Sequence, residues 1–567
     1  VEAEGARGPL ARRVALGRQG LLWLAAGVVA GALAAVGLVL AARAIVVGPP
    51  PPPAAGPPRF VEESATAGVG HVYDGGFHYF VGGGVAVFDC DGDRRPELYL
   101  AGGSRPAGLY HNQSPVGGRL RFTRLPHPAT DLAQVTGAYP LDVDSDGLTD
   151  LAVLRLGEDV LLRGLGGCRF ERANERWSLG AAGDWTVAFS ATWEGGRRLP
   201  TLAFGNYVAL TGTGKRAGGC ADHTLFRPDG DRYGPAITLS PGWCTLSILF
   251  SDWDRSGRRD LRMTNDRHYY RHGTEQLWRM ADGEPPRPYT AEEGWQTMQI
   301  WGMGIASHDL TGDGRPEVYL TSQGDNKLQT LAGRDRRPAY EDVAFRRGAT
   351  AHRPYAGDVA KPSTAWHPEF QDVNNDGHVD LLITKGNVEA QPDYAARDPS
   401  NLLLGQPDGT FVESAPAAGI THFARGRGAA LADLNLDGLV DLVEVNRREQ
   451  VKVWRNAGSG DPGRPRPMGD WVAVRLQQPA PNTDAVGAWI EVRAGGRTQR
   501  RELTVGGGHA GGQLGWTHFG LGAADRLEVR VQWPDGSWGP WMESAVNQFL
   551  TIPRGADRPA AWKPAAS

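Results

Sequence analysis

The chain has 567 residues, 78 of them Gly and 40 Pro, with 22% charged residues, four Cys and a formal charge of −4. That Gly content excludes a mainly helical protein and points to many turns between short strands. The near-neutral balance argues against a global nucleic-acid footprint, so no nucleic-acid partner is expected, and C-x-x-C-H haem attachment and paired-Cys zinc motifs are absent.

From Gly20 to Ala42 there is no charge, and Arg7, Arg12, Arg13 and Arg18 precede this run. At 1.5 Å per residue it spans about 34 Å, the thickness of a hydrocarbon core. Arg43 and a Pro-rich stretch from Pro49 to Pro58 follow. Positive-inside reasoning predicts a cytoplasmic tail over 1–19, a transmembrane helix over 20–47, a Pro-rich spacer over 48–59 and export of the rest. The expectation is a single-pass protein of the bacterial inner membrane with a periplasmic bulk and the lipid bilayer as partner. A cleaved signal peptide is the competing reading, although its apolar core is usually shorter, about 7–15 residues.

The strongest signal is an internal repeat, D-x-D-x-D-G-x-x-D, set between short apolar runs. Its copies are Asp89, Asp91, Asp93 and Glu97, with Arg94 in the Gly position; Asp142, Asp144, Asp146 and Asp150; Asp252, Asp254, Ser256 and Asp260; Asp309, Thr311, Asp313 and Glu317; Asp372, Asn374, Asp376 and Asp380; and Asp433, Asn435, Asp437 and Asp441. Oxygens at positions 1, 3, 5 and 9 of a tight turn converge on one hard cation, and Gly at position 6 permits the turn. Calcium, which accepts six to eight oxygens flexibly, suits this set better than magnesium, and up to six ions are expected. The EF-hand is excluded, because position 12 is apolar, as at Val153 and Ile383. The six copies carry twenty carboxylates, and like charges this close need counter-ions.

First positions fall at 89, 142, 252, 309, 372 and 433, so one interval is doubled. The missing copy lies near 195, where Trp193 and Thr201 replace the first and ninth ligands. Seven units of four strands predict an all-β fold: a seven-bladed β-propeller over 60–460. A linear solenoid is the alternative. Phe60, Phe122, Phe170, Phe345 and Phe411 open recurring phrases and are expected to wedge between units.

Cys220 and Cys244 bracket an insertion and are the expected disulfide, while Cys90 and Cys168 are expected to stay unpaired. The cluster Arg267, His268, Tyr269 and Tyr270 suits an interface with protein or glycan. Over 470–552 the alternation in "WVAVRLQ", "AWIEVRA" and "LEVRVQW" predicts a small β-rich domain, with a tail over 553–567. His509 and His518 lie in its Gly-rich stretch and read as packed or turn-stabilising residues.

The acidic loops resemble FG-GAP (VCBS) repeats of integrin-alpha-type propellers. "NTDAVGAWIEV", "GGGHAGGQLGWTHFGLG" and "LEVRVQWPDGS" resemble the ASPIC/UnbV module, and the order of the two parts is that of the cartilage acidic protein family. The resemblance implies that the acidic loops are calcium sites and transfers no catalytic set. The functional expectation is a non-enzymatic, membrane-anchored, calcium-binding accessory or docking subunit with membrane protein subunits as partners. The alternative is a glycan-binding or adhesion protein, and a hydrolase or lyase with a central pocket is the third reading.

Overall fold

The computed structural model describes residues 55–565 except 181–183, 211–215, 267–272 and 334. Seven four-stranded antiparallel sheets succeed one another along the chain. The first runs Val85–Phe88, Glu97–Leu100, Gly108–Asn112 and Phe122–Arg124 in neighbour order, and the next begins with Val135–Leu141. The remaining first strands are Thr186–Thr192, Thr245–Ser251, Gly302–His308, Ala365–Gln371 and Arg425–Ala432. Strand Phe60–Glu62 completes the seventh sheet by pairing with Lys452–Asn456, Phe60 opposite Asn456.

Burial explains the composition of these strands. Val135–Leu141 and Thr186–Thr192 are buried at every position, so both faces are covered and small or apolar side chains are required throughout. Outer strands such as Phe122–Arg124 bury only their first residue. First strands of successive sheets pack against each other, and that of the seventh packs against that of the first.

The supported fold class is an all-β, multi-sheet architecture. Every strand order is open-ended, and no sheet closes or curls upon itself. The expectation of a seven-bladed β-propeller preceded by a membrane helix is corrected to that level. Packing of neighbouring sheets and a central loop, described below, covers the inner strands, so no sheet has to curl to protect them. Among the described residues no helix is long and apolar enough to cross a membrane, and residues 20–47 lie outside them. A span needs its backbone hydrogen bonds closed within one long helix, and an uncharged run of residues does not establish that. The transmembrane helix, the bilayer and membrane subunits as partners, and the inner-membrane, periplasmic location are corrected on this finding.

Two further expectations change. Phe60, Phe122, Phe170 and Phe411 are buried, but Phe345 is 88% exposed. Tyr340 opens the outer strand Tyr340–Asp342 and fills the buried position instead. Cys90 and Cys168 are not free: they form a disulfide, as do Cys220 and Cys244. The Cys168 N–H donates to the Cys90 carbonyl at 3.0 Å, which ties the first acidic loop to the second sheet. Cys168→Ala is expected to cost about 2–4 kcal/mol by chemical denaturation, through the unfolded chain it no longer constrains. An unchanged denaturation midpoint would contradict that.

The C-terminal part packs two four-stranded sheets face to face. One is ordered Thr517–Gly522, Asp470–Gln477, Gln548–Pro553, Ala560–Trp562, and the other Arg497–Glu502, Trp489–Ala494, Arg526–Gln532, Met542–Ala545. Val472, Val474, Ile490, Val492, Phe519, Val529, Val531 and Leu550 form the core between them.

Its Gly-rich segment leaves these sheets and runs among the first strands of the other seven. Val505 bridges to Ala191, Gly506 to Leu249, Gly508 to Ile305, Gly511 to Ala138 and Gln513 to Val87. Glycine is required on the receiving side: a Cβ at Gly84 or Gly137 would stand 1.7 or 2.0 Å from the Ala510 carbonyl oxygen. His509 is fully buried, with Nδ1 3.0 Å from the Met303 carbonyl oxygen and Nε2 accepting the Gly82 N–H at 3.1 Å. These partners place the ring proton on Nδ1, and burial holds the pKa down to about 3. His518 bonds Asn375 Oδ1 at 2.7 Å and stacks on Trp471.

Candidate metal centre

Each acidic loop joins the first strand of a sheet to the second. Leu141 pairs with Asp150, Gln371 with Asp380 and Ala432 with Asp441, so the ninth position opens the second strand. Backbone N–H groups fix the carboxylates. Asp372 accepts from Asp376 at 3.2 Å and Gly377 at 2.7 Å, and Asp433 accepts from Asp437 at 3.0 Å and Gly438 at 2.7 Å. Asp376 accepts from His378, and Asp437 from Leu439. The ninth position accepts twice, as Asp380 does from Val373 at 2.9 Å and Gly405 at 2.9 Å. Arg94 takes the glycine conformation with φ 67°. Its guanidinium donates to Thr551 Oγ1 at 3.1 Å and lies 5.3 Å from the Trp562 ring. In the third unit Glu194 takes charge-assisted bonds from Arg227 at 2.8 Å and Thr201 Oγ1 at 2.8 Å.

Groups able to hold a metal ion are present. Asp89, Asp91 and Asp93 bring ligand atoms within 4.8 Å of one another, as do Asp142, Asp144 and Asp146, and Asp91, Glu97 and His111. His111, from the third strand of its sheet, is a candidate ligand that loop spacing could not reveal, because it lies outside the repeat.

The loops differ in the cations around them. Arg475 stands 3.2 Å from Asp89, and His111 2.9 Å from Asp91. Arg163 pairs with both Asp144 and Asp146. Asp260 is surrounded by Arg258 at 2.8 Å, Trp253 Nε1 at 2.9 Å and the Tyr289 hydroxyl at 2.8 Å. Arg500 reaches Asp309 at 3.3 Å and Arg315 reaches Asp313 at 3.1 Å. Asp372, Asp376, Asp380, Asp433, Asp437 and Asp441 have no such partner: among the described residues none forms an ion pair. Asn435 Oδ1, in the third ligand position, is buried with no hydrogen-bond partner, while its amide donates to Asp437 and the Gly118 carbonyl. A buried acceptor left open beside three carboxylates that form no ion pair fits a cation.

Without metal the carboxyls are driven toward their neutral forms. Burial pushes Asp372, Asp380, Asp433 and Asp441 well above the usual range, and neighbouring carboxylates add to it. Burial raises Asp142, Asp252 and Asp437 from 3.8 to about 6. An acid raised in the folded state holds its proton more tightly folded than unfolded. Its contribution is complete below about pH 4 and is lost as pH rises through about 6. Metal-free protein is therefore expected to melt higher at pH 5 than at pH 7.5. Equal melting temperatures in chelator at the two pH values would refute this.

Arg267, His268, Tyr269 and Tyr270 lie outside the described residues.

Residues 478–559 match the family model described as ASPIC and UnbV, and residues 372–444, which contain the two loops without an ion pair, match that of an FG-GAP-like repeat. Cartilage acidic protein 1 of Mus musculus is 31% identical over 150 residues, 26% of this chain and 21% of that protein. The Homo sapiens protein is 29% identical over 148 residues, with the same coverage of 26% and 21%. The chain thus spans 21% of the length of these relatives. Among solved structures, an Agrocybe aegerita lectin described by its recognition of non-reducing terminal N-acetylglucosamine aligns over 67% of this chain and 92% of its own. That alignment has 15% identity and a TM-score of 0.36, a likeness that carries no functional argument.

Proposed function

The chain carries an ASPIC/UnbV domain and an FG-GAP-like repeat, and from that premise we propose a calcium-rigidified, non-enzymatic accessory protein that acts by presenting its surface loops to another molecule. The observation that carries this reading is the pair of loops 372–380 and 433–441, six carboxylates without an ion pair among the described residues. Asp372, Asn374, Asp376 and Asp380 would hold one ion, and Asp433, Asn435, Asp437 and Asp441 a second. The metal would supply positive charge where Arg497 and Arg455 act only from beyond ion-pair distance, and fix each turn between two strands. The four loops with cationic neighbours would bind more weakly, because a guanidinium or imidazole must first be displaced.

Support for a non-catalytic role comes from the centre of the seven sheets, where segment 505–513 lies. The acid–base pair there is already engaged. His367 Nδ1 accepts the His509 N–H at 3.0 Å, and Glu369 accepts from Gln513 at 2.6 Å and the Leu431 N–H at 3.1 Å.

Ion counting on protein equilibrated with calcium and desalted tests the reading. Two tightly held ions are expected in the wild type, one in Asp376→Asn and one in Asp437→Asn, with Asp260→Asn unchanged. A protein that retains no calcium, or loses as much on Asp260→Asn, would overturn it.

A further inference from the structure

A cavity of about 420 Å³ lies between loops 309–317 and 372–380, the turn after Asn401–Gly405 and the edge strand Arg497–Glu502. Arg347, Arg497 and Arg500 line it, with Asp309 as the sole carboxylate of the wall. Arg500 is engaged: Nε bonds Glu491 at 2.8 Å, and Nη1 reaches the Gly312 carbonyl at 2.8 Å and Asp309 at 3.3 Å. Arg347 and Arg497 are different. Among the described residues neither has a carboxylate within ion-pair distance, and the polar contacts of the Arg497 guanidinium are those of Nη1 with the His378 ring nitrogens, both 3.1 Å. His308, also in the wall, is 6% exposed, and its Nδ1 has no hydrogen-bond partner.

Other guanidiniums of this chain close directly on a carboxylate, as Arg455 does on Glu63 at 3.1 Å and Arg227 on Glu194 at 2.8 Å. Partly desolvated guanidiniums without an anion are costly, and the planar fork of Arg matches the oxygens of carboxylate, sulfate and phosphate. We propose that this cavity binds a small oxyanion, as a free ion or as the acidic group of a small molecule, held by Arg347 and Arg497 with His308 at its inner wall. The site goes beyond the calcium reading: Arg347 and Arg497 close on no carboxylate directly, although Arg497 feels Asp372 and Asp376, and Arg347 feels Glu317, from beyond ion-pair distance.

Isothermal titration of the full chain with inorganic sulfate, in calcium and separately in chelator, tests the proposal. Saturable binding is expected in at least one of the two conditions. It should weaken at least tenfold in Arg347→Ala and remain within twofold in Arg346→Ala, which removes the same charge from an exposed side chain paired with Glu341. Arg497→Ala should weaken it likewise, and near-UV circular dichroism verifies that each variant is folded. Glucose 6-sulfate in a parallel titration separates the sources. Binding of both ligands assigns the site to an acidic group on a larger molecule, and binding of sulfate alone to a free ion. No saturable binding in either condition, or equal loss in Arg346→Ala and Arg347→Ala, would overturn the proposal.

Discussion

Chelation of calcium at neutral pH is expected to lower the unfolding free energy by about 5 kcal/mol. A ligand at a hundredfold its dissociation constant stabilises by about 2.7 kcal/mol per site, and the two loops without an ion pair are the sites expected to fill at that level. The effect has a second origin in the metal-free state. Asp437 is held near 6 by burial, so at pH 7.5 the apo protein either ionises it beside Asp433 and Asp441 or keeps a proton against the pH. Calcium removes that conflict, and the pH dependence predicted for the apo protein should largely disappear in its presence. Asp376→Asn with Asp437→Asn should reproduce most of the chelator effect. If chelator leaves the denaturation midpoint unchanged, the metal reading fails.

Gly137→Val is expected to be the most damaging single substitution away from the loops, at roughly 4–5 kcal/mol or loss of folding, because it combines overpacking with loss of a buried backbone contact. Its Cβ would stand 2.0 Å from the Ala510 oxygen and 2.8 Å from the Ala510 carbon. Two backbones meet there, so no rotamer change relieves the clash. The first strand of the second sheet and the central segment would have to separate, which breaks the Ala138 N–H bond to the Ala510 carbonyl. Gly147→Ala is the contrasting case. Its surroundings are open, but φ of +84° disfavours any side chain, so only about 1 kcal/mol is expected. Urea denaturation of both variants checks the order, and a smaller loss in Gly137→Val would contradict the packing described here.

The sequence was most readable where interactions are local. All the ligand oxygens of one acidic loop lie within nine residues, so their spacing exposes the turn, the strand that follows it and the all-β character of the body. Alternation in "LEVRVQW" likewise foretells the observed strand Arg526–Gln532, whose odd and even positions differ in burial. The unit without acids near 195 was visible as a doubled interval for the same reason. Phe345 shows the limit of phrase matching. It lies five positions after Tyr340, which occupies the buried position, and aromatic identity alone did not settle the register.

What stayed hidden depends on partners far along the chain. Arg163, Arg475 and Arg500 decide which loops carry an ion pair, yet Arg475 and Asp89 are 386 residues apart, and Arg500 and Asp309 are 191 apart. Cys90 and Cys168 are separated by 78 residues and meet only because adjacent sheets are packed side by side. The uncharged run over 20–42 has the length of a membrane span, but length states nothing about whether backbone hydrogen bonds close within one helix. The Gly-rich stretch 506–512 has no apolar alternation that would assign it to a strand. Its role as the segment among the first strands follows from contacts with Val87, Ala138, Leu249 and Ile305, which no local pattern encodes. Composition and spacing thus determined the kind of structure and the chemistry available to its loops. Tertiary packing decided which of those loops lack an ion pair and what fills the centre, because charge compensation and close backbone approach are properties of atoms brought together from distant positions.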